Sequence, residues 1–208
     1  MPNKKIHKLF PSPIFQCQID DYEKLNEELQ DYIYNLEKND TKGVNASNAG
    51  GGWHSPYWQI AKSPIAKKFA DSISPVLFEI ITKDYAWKCK PEEIIFEGMW
   101  SIINRKSSYN VRHFHPNCHL SAAYYVKAKE NCGKIKFYDP LDQRLIKAPR
   151  KSEQNELNIE AITFTPQEGL LLIFPSYLYH SVGKNLSSED RIIVSFNVDI
   201  ITYKDAKY

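Results

Sequence analysis

Four residues in the second half of the chain have the types and the order that a metal-dependent reaction needs. His113 and His115 stand two positions apart, His180 follows much later, and Arg191 comes shortly after it. On an extended strand, side chains two apart point to the same side, so one strand can present both imidazoles to one ion. A third imidazole from a distant strand would complete one face of ligands and leave the opposite side of the ion open for substrate and oxygen. The pattern therefore indicates a catalytic metal site.

The elements that must position these residues are short strands that begin near residue 94. The predicted strands are 94–104, 119–127, 133–138, 159–165, 169–174 and 191–201. Breaks rich in Asn, Pro, Gly and Asp separate them, and no helical periodicity intervenes. Such a series predicts antiparallel sheets wound as a jelly roll or barrel, a mainly β fold whose cavity mouth is a natural place for a metal.

The first part of the chain has helical periodicity in two places. Apolar residues recur at intervals of three and four over 22–36 and over 64–85, and Asp20 and Asp21 offer a cap for the first helix. Such stripes are typical of helices that lie on a sheet. The glycine-rich segment 48–55 lies between them, with no helix start of the phosphate-binding kind after it. We interpret it as a flexible loop that borders the pocket.

Length and composition indicate one domain. The chain has 208 residues, 42% of them hydrophobic, enough for one substantial core. We expect a single domain over 1–208, with a helical and loop part at 1–93 and a β core at 94–201. Lys and Arg total 27 against 25 Asp and Glu, so the net charge indicates no nucleic-acid or membrane partner. No apolar stretch approaches the roughly 20 residues that span a bilayer, and no signal peptide is evident, so we expect a cytoplasmic protein.

The four cysteines do not form a recognisable metal or disulfide motif. Cys17, Cys89, Cys118 and Cys132 include no CxxC pair. We expect reduced thiols that are mostly buried. Cys118, although close in sequence to His115, is better explained by packing than by nucleophilic catalysis.

Several runs in the second half resemble the iron(II)- and 2-oxoglutarate-dependent oxygenases, closest to a bacterial and phage group with the pattern HxH, H and R. The matching runs are 109–115, 120–126, 133–137, 166–169, 174–176 and 191–197. The resemblance implies a double-stranded β-helix, a cupin-like jelly roll with the N-terminal helices packed on it. It also implies an Fe(II) ion and 2-oxoglutarate as co-substrate. The implied reaction hydroxylates a substrate and releases succinate and CO2.

By the same resemblance, His113, His115 and His180 are the metal ligands. His115 departs from the wider superfamily, which usually has a carboxylate at this position. Three neutral ligands would leave the iron with about one more unit of positive charge, which affects iron retention and turnover. Taken singly, each histidine also has an ordinary structural explanation. His119 is an alternative ligand, but on a strand it lies roughly 13 Å from His115, so we rank it as a structural or pocket residue.

The resemblance also implies a 2-oxoglutarate site built from Arg191, Ser195 and Tyr125. A guanidinium fork suits a carboxylate bound through two hydrogen bonds, and a buried arginine without an anion is costly. Ser195 lies on the same strand face as Arg191, while Tyr124 points away from Tyr125, so only one of the two tyrosines lines the cavity. The alternative is a structural ion pair of the arginine, with Asp190, Glu189 or Asp139 as partner.

No further acid, base or nucleophile is expected beyond the metal ligands. Trp100, Asn104 and Tyr109 are candidates for the pocket border or for packing. Two other functions stay open: a three-histidine cupin-type metalloenzyme that does not use 2-oxoglutarate, and a β-helix module that binds a ligand without catalysis. The substrate is a small molecule, a peptide or a protein, over which the polar segment 141–160 is a candidate lid. The sequence indicates no oligomeric state.

Overall fold

The computed structural model describes residues 3–141, 147 and 149–201. Its two α-helices are α1 (Tyr22–Asn39) and α2 (Pro64–Glu79), and a π-helical turn at Ile80–Asp84 continues α2. The strands are β1 (Phe15–Gln18), β2 (Asn48–Ala49), β3 (Trp53–His54), β4 (Ile94–Asn104), β5 (Tyr109–His113), β6 (Leu120–Lys127), β7 (Ile135–Tyr138), β8 (Ala161–Phe164), β9 (Leu170–Pro175), β10 (His180–Val182) and β11 (Arg191–Ile200). All six strands predicted after residue 94 are therefore present: 94–104 has its predicted bounds, and the ends of the other five differ by at most two residues.

The strands form two antiparallel sheets. The larger has the order β1-β9-β6-β11-β4-β3, and the smaller has the order β2-β5-β10-β7-β8. Their inner faces share one apolar cluster, in which Ile193 and Phe174 of the larger sheet meet Phe137 and Val182 of the smaller. This is the jelly roll that the strand pattern predicts. The division into a helical part and a β core within one domain stays a prediction.

Both helices cover the outer face of the larger sheet. Leu29 and Ile33 of α1 and Phe69 and Ile73 of α2 are fully buried in a second apolar cluster. Burying side chains of this size contributes about 1.5 to 3 kcal/mol each. This cluster stabilises the outer face of the larger sheet. The inner face, which faces the smaller sheet, is therefore the one available for a site.

The helix starts differ from the expectation. Asp21 stands at the N-cap of α1 with φ 49°, and its side chain caps no backbone N–H. Asp20 and Asp21 therefore do not cap the helix as predicted, because a left-handed backbone turns the chain into the helix there. In α2, Ser63 accepts a hydrogen bond from the Ala66 N–H, and Pro64 follows it.

Strand β11 contributes side chains both to the cluster under the helices and to the cluster between the sheets. It pairs with β4 on one side and β6 on the other. Val194 and Phe196 belong to the helix-covered cluster, whereas Ile193 belongs to the inner one. The same alternation on β6 turns Tyr124 outward, where its hydroxyl donates to Asn26 Oδ1 at 2.7 Å, and Tyr125 inward. The sequence-based alternation of faces is thus confirmed.

The glycine-rich segment is more ordered than expected. It contains β2 and β3, which pair with β5 and β4 respectively. It does border the cavity, as predicted. All four cysteines are free, but only Cys132 is buried, so the expectation of mostly buried thiols is wrong for the other three.

Within the described residues, neither helix combines the length and the apolar character that crossing a bilayer requires. Part of the predicted lid, residues 142–146 and 148, lies outside the described residues.

Candidate metal centre

Three imidazoles converge at one end of the space between the sheets. His180 and His113 face each other directly in the register of β10 and β5, and their ring centroids are 4.3 Å apart. The ring of His115 lies 5.2 Å from that of His113 and 5.1 Å from that of His180. One nitrogen from each ring lies within 4.8 Å of the others. That spacing suits a single ion bound by all three.

The histidine pair is presented differently from the expectation. Strand β5 ends at His113, so His115 stands in the turn beyond it and the prediction of two ligands on one strand is wrong for this residue. The rings of His113 and His115 nevertheless lie close together. His115 is held there by its N–H, which donates to Ser176 O at 3.0 Å.

Hydrogen bonds fix the orientation of every ring. His113 Nδ1 lies 2.7 Å from the Val111 carbonyl, and His180 Nδ1 lies 3.0 Å from the Leu178 carbonyl. A carbonyl oxygen only accepts, so both Nδ1 atoms carry the hydrogen and both Nε2 atoms keep a lone pair. His115 Nδ1 makes the equivalent bond to a side-chain oxygen. All three rings therefore have Nε2 available as the ligand atom, and an acceptor orients the other nitrogen.

Burial keeps the three rings neutral. It lowers the pKa of His180 to about 3 and that of His115 to about 4, and it also lowers the pKa of His113. Mutual repulsion of the rings adds to the effect at His180 and His115. Neutral imidazole is the metal-binding form, so the site is ready for an ion at neutral pH.

His119 does not join this group. Its Nδ1 pairs with Asp199 Oδ1, and its ring packs edge-on against Trp87. The ranking of His119 as a structural residue is consistent with this placement.

A cavity of about 810 Å³ opens beside the three histidines. Trp100 and Ser195 line it, together with all three candidate ligands. Two other proposed border residues do not: Asn104 is fully buried and Tyr109 is partly exposed, and neither is among the described lining residues.

Arg191 is fully buried and is not among the described residues that line this cavity. Its Nη1 donates to the carbonyls of Cys132 at 2.7 Å and Gly133 at 2.9 Å. A Cβ at Gly133 would stand 2.8 Å from Nη1 and 2.2 Å from Gly183 O, so only glycine fits there. These contacts hold the guanidinium plane in one orientation.

The other guanidinium nitrogens have no partner. Nε and Nη2 of Arg191 are buried without a hydrogen bond among the described residues. The structural ion pair considered above is not formed with Asp190, which accepts from Tyr34, or with Glu189, which binds Lys127. A buried guanidinium with two unpaired nitrogens is costly, and a carboxylate is the ligand that would satisfy it.

The three proposed co-substrate residues differ in their access to the cavity. Ser195 lines it, whereas Tyr125 and Arg191 are buried and are not among the described lining residues. Burial raises the pKa of the Tyr125 phenol, and the nearby Arg191 charge opposes that rise.

His54 is a site residue that sequence reasoning missed. It is buried, lines the cavity and donates from Nδ1 to Ser55 O at 2.7 Å. Its ring stacks on Trp100, with centroids 5.7 Å apart and planes 13° apart. The only sequence signal was its place within the glycine-rich segment 48–55.

Comparisons with known proteins agree with this geometry. The family described as "Putative 2OG-Fe(II) oxygenase" matches residues 98–197, which contain all three histidines and Arg191. No curated protein matches the chain.

Several solved structures share the fold. A Pseudomonas putida prolyl-4-hydroxylase has a TM-score of 0.64 at 10% identity, covering 90% of this chain and 93% of its own. HygX from Streptomyces hygroscopicus, solved with nickel and 2-oxoglutarate, has a TM-score of 0.63 at 11% identity, covering 94% and 86%. The epimerase SnoN, solved with Fe3+, alpha ketoglutarate and nogalamycin RO, has a TM-score of 0.66 at 14% identity, covering 92% and 80%.

At such identities, the likeness to these structures concerns the fold, which is a double-stranded β-helix as predicted. The family match concerns the segment that carries the site. Over residues 98–197, the chain is similar to the 2OG-Fe(II) oxygenases, enzymes named for iron(II) and 2-oxoglutarate.

Proposed function

We propose that this protein hydroxylates an organic substrate at a three-histidine iron(II) centre, with 2-oxoglutarate as co-substrate. The observation that carries the proposal is the pairing of three convergent Nε2 atoms with a buried arginine that has two unpaired guanidinium nitrogens. Together they offer a binding group for each end of 2-oxoglutarate: a metal for the keto acid and a guanidinium for the far carboxylate.

His113, His115 and His180 hold the ion in this proposal. All three line the cavity, so an ion that they held would be open to it. All three are neutral, so the ion keeps about one more unit of positive charge than with a carboxylate ligand. A dianionic co-substrate compensates that charge, which favours its binding.

Arg191, Ser195 and Tyr125 hold 2-oxoglutarate. Arg191 presents Nε and Nη2 to the far carboxylate, since its Nη1 is already bound to backbone carbonyls. Ser195 and Tyr125 each add a hydroxyl donor along the path from the metal to the arginine. The surrounding apolar cluster excludes water, which strengthens these charge-assisted hydrogen bonds.

Iron(II), when bound, supplies the redox chemistry, in which O2, 2-oxoglutarate and a substrate C–H bond give succinate, CO2 and the C–OH product. The residues of the chain contribute binding and orientation. Their neutral rings exchange no proton in the reaction, so no acid or base is required beyond the ligands.

Two variants test the proposal. We expect His180→Ala to abolish iron(II) binding and Arg191→Ala to weaken 2-oxoglutarate binding while iron binding is retained. Succinate formation with added iron(II), measured for the wild type and both variants, reports turnover, and anaerobic metal analysis reports the ion. Equal succinate formation by all three proteins would contradict the assignment.

The same measurements separate the alternatives. A three-histidine enzyme that does not use 2-oxoglutarate would bind iron but form no succinate. A β-helix module that only binds a ligand would retain no metal after anaerobic reconstitution.

A further inference from the structure

The cavity beside the three histidines has no charged wall. Among the described residues that line it there is no Asp, Glu, Lys or Arg. Its polar groups are neutral amides, hydroxyls and imidazoles, such as Asn110, Asn117 and Ser47. A charged substrate group would lose its hydration there without gaining an opposite charge, which is costly.

Aromatic rings form one wall from the surface to the metal ligands. Tyr57 lies at the mouth, 63% exposed, and its ring is 5.6 Å from that of Trp100. Trp100 in turn stacks on His54 and lies 5.5 Å from His115. A planar, apolar ring of a ligand could bind along this wall between the solvent and the histidines, because aromatic rings attract one another in offset or edge-on contact.

A glycine sets the position of the outermost ring. A Cβ at Gly98 would stand 3.1 Å from the Tyr57 ring, so the bare backbone of β4 lets the ring lie close against the strand. Tyr57 is therefore held along the wall although it is largely exposed. A larger residue at 98 would crowd the Tyr57 ring and shift it from this position.

The mouth itself is apolar. Val44, Val111 and Phe114 line the cavity and, like Tyr57, expose 40% or more of their surface. Exposed apolar side chains clustered at one opening mark a place where something apolar binds. At about 810 Å³ the cavity has the size that holds a small organic ligand.

We infer that the substrate presents an uncharged ring to the Tyr57–Trp100–His54 wall, with Tyr57 and Gly98 as determinants of specificity. This rests on the proposed function, since it places that ring beside the metal. The ring belongs to a free small molecule or to a neutral side chain of a peptide, and the two sources share this chemistry.

The test uses indole as a neutral ring and follows the indole N–H signal of Trp100 by NMR in the intact protein. The four tryptophans are assigned by single Trp→Phe replacements. We expect indole to shift the Trp100 signal in the metal-free protein. Tyr57→Ala should weaken the binding about three- to tenfold, the value of one aromatic contact, whereas Tyr57→Phe should keep it. Gly98→Ala should weaken it in the same direction.

The control is Tyr177→Ala. Tyr177 is 51% exposed but does not line the cavity, so its replacement should leave indole binding unchanged. Absence of a shift at Trp100, or equal binding after Tyr57→Ala, would overturn the inference. Because this arm needs no metal, its failure is separate from a failure of iron binding or succinate formation.

Charge is tested with the protein loaded with diamagnetic zinc(II) and 2-oxoglutarate, so that the imidazoles and Arg191 are occupied. Tryptamine and indole-3-propionate carry the same ring with a positive or a negative charge. We expect each to bind at least about tenfold more weakly than indole. Binding of either charged probe as tight as that of indole would overturn the uncharged class. A neutral tryptophan-containing peptide that binds less well than indole would assign the site to small molecules, and the reverse order would assign it to peptides.

Discussion

The imidazole of His115 donates from Nδ1 to the side-chain oxygen of Asn197 over 2.7 Å, and Ser121 donates to the same oxygen over 2.8 Å. Asn197 stands on β11 in the larger sheet, whereas His113 and His180 belong to the smaller one. One ligand is thus oriented by the sheet opposite the other two. The Asn197 amide accepts the hydrogen bond of His115 as a carboxylate would, but it adds no negative charge to the site.

Replacing Asn197 tests this orientation. We expect Asn197→Ala to weaken metal binding about 10- to 100-fold, the usual cost of losing a partner that orients a metal ligand. Asn197→Asp keeps an acceptor and should retain most of the affinity. Cobalt(II) titration followed by its visible absorption measures both. Unchanged affinity in Asn197→Ala would show that His115 needs no partner.

The adjacent tyrosines on β6 offer a matched pair. Tyr125→Phe should weaken 2-oxoglutarate binding about 2- to 12-fold, the value of one hydrogen bond. Tyr124→Phe should leave 2-oxoglutarate binding unchanged but lower the free energy of unfolding by about 1 kcal/mol, because its bond to Asn26 is lost. Calorimetric titration and urea unfolding measure the two effects. An equal effect of both variants on 2-oxoglutarate would contradict the assignment of faces.

The unpaired guanidinium nitrogens predict a large stabilisation by the co-substrate. In zinc-loaded protein, 2-oxoglutarate at 100 times its dissociation constant should add about 2.7 kcal/mol to the free energy of unfolding. Arg191→Lys should lose most of this gain, because an ammonium cannot present two parallel N–H groups. Arg105→Lys, a change in a surface ion pair with Glu37, is the control. 2-Oxobutyrate lacks the far carboxylate, so stabilisation by it equal to that by 2-oxoglutarate would exclude the proposed role of Arg191.

The depressed histidine pKa values predict that acid destabilises the metal-free protein. A free histidine has a pKa of 6.5, whereas burial lowers that of His115 to about 4 and that of His180 to about 3. Between 6.5 and about 4 the unfolded chain binds more protons than the folded one, so the free energy of unfolding falls as the pH falls through that window. Urea unfolding at several pH values measures it. His180→Gln should reduce the slope, and a flat profile in the wild type would contradict neutral buried rings.

The strands could be predicted because their sequence signals are local. The alternation along β11 separates Ile193 from Val194 without any knowledge of the neighbouring strands, and it gave both faces correctly. Strand β4 was predicted with its observed bounds for the same reason. The pairing of His180 with His113 depends on the register between two strands far apart in the chain. No local sequence pattern specifies that register, so only the structure shows which residues face each other.

The rest of the site depends on contacts without a local pattern. His54 was missed because a lone histidine beside glycines has no periodicity, and its role follows only from stacking on Trp100. The partners of Arg191 are carbonyls of Cys132 and Gly133, and a carbonyl is present at every residue. The left-handed backbone at Asp21 likewise overrode a plausible capping residue.

The register of His180 with His113 gives a bound ion a mechanical role as well. An ion held by both rings would clamp two neighbouring strands together and, through His115, secure the turn beyond them. Slippage between those strands would then require the ion to leave first. Loss of metal would accordingly loosen this edge of the molecule while leaving the helix-backed sheet intact.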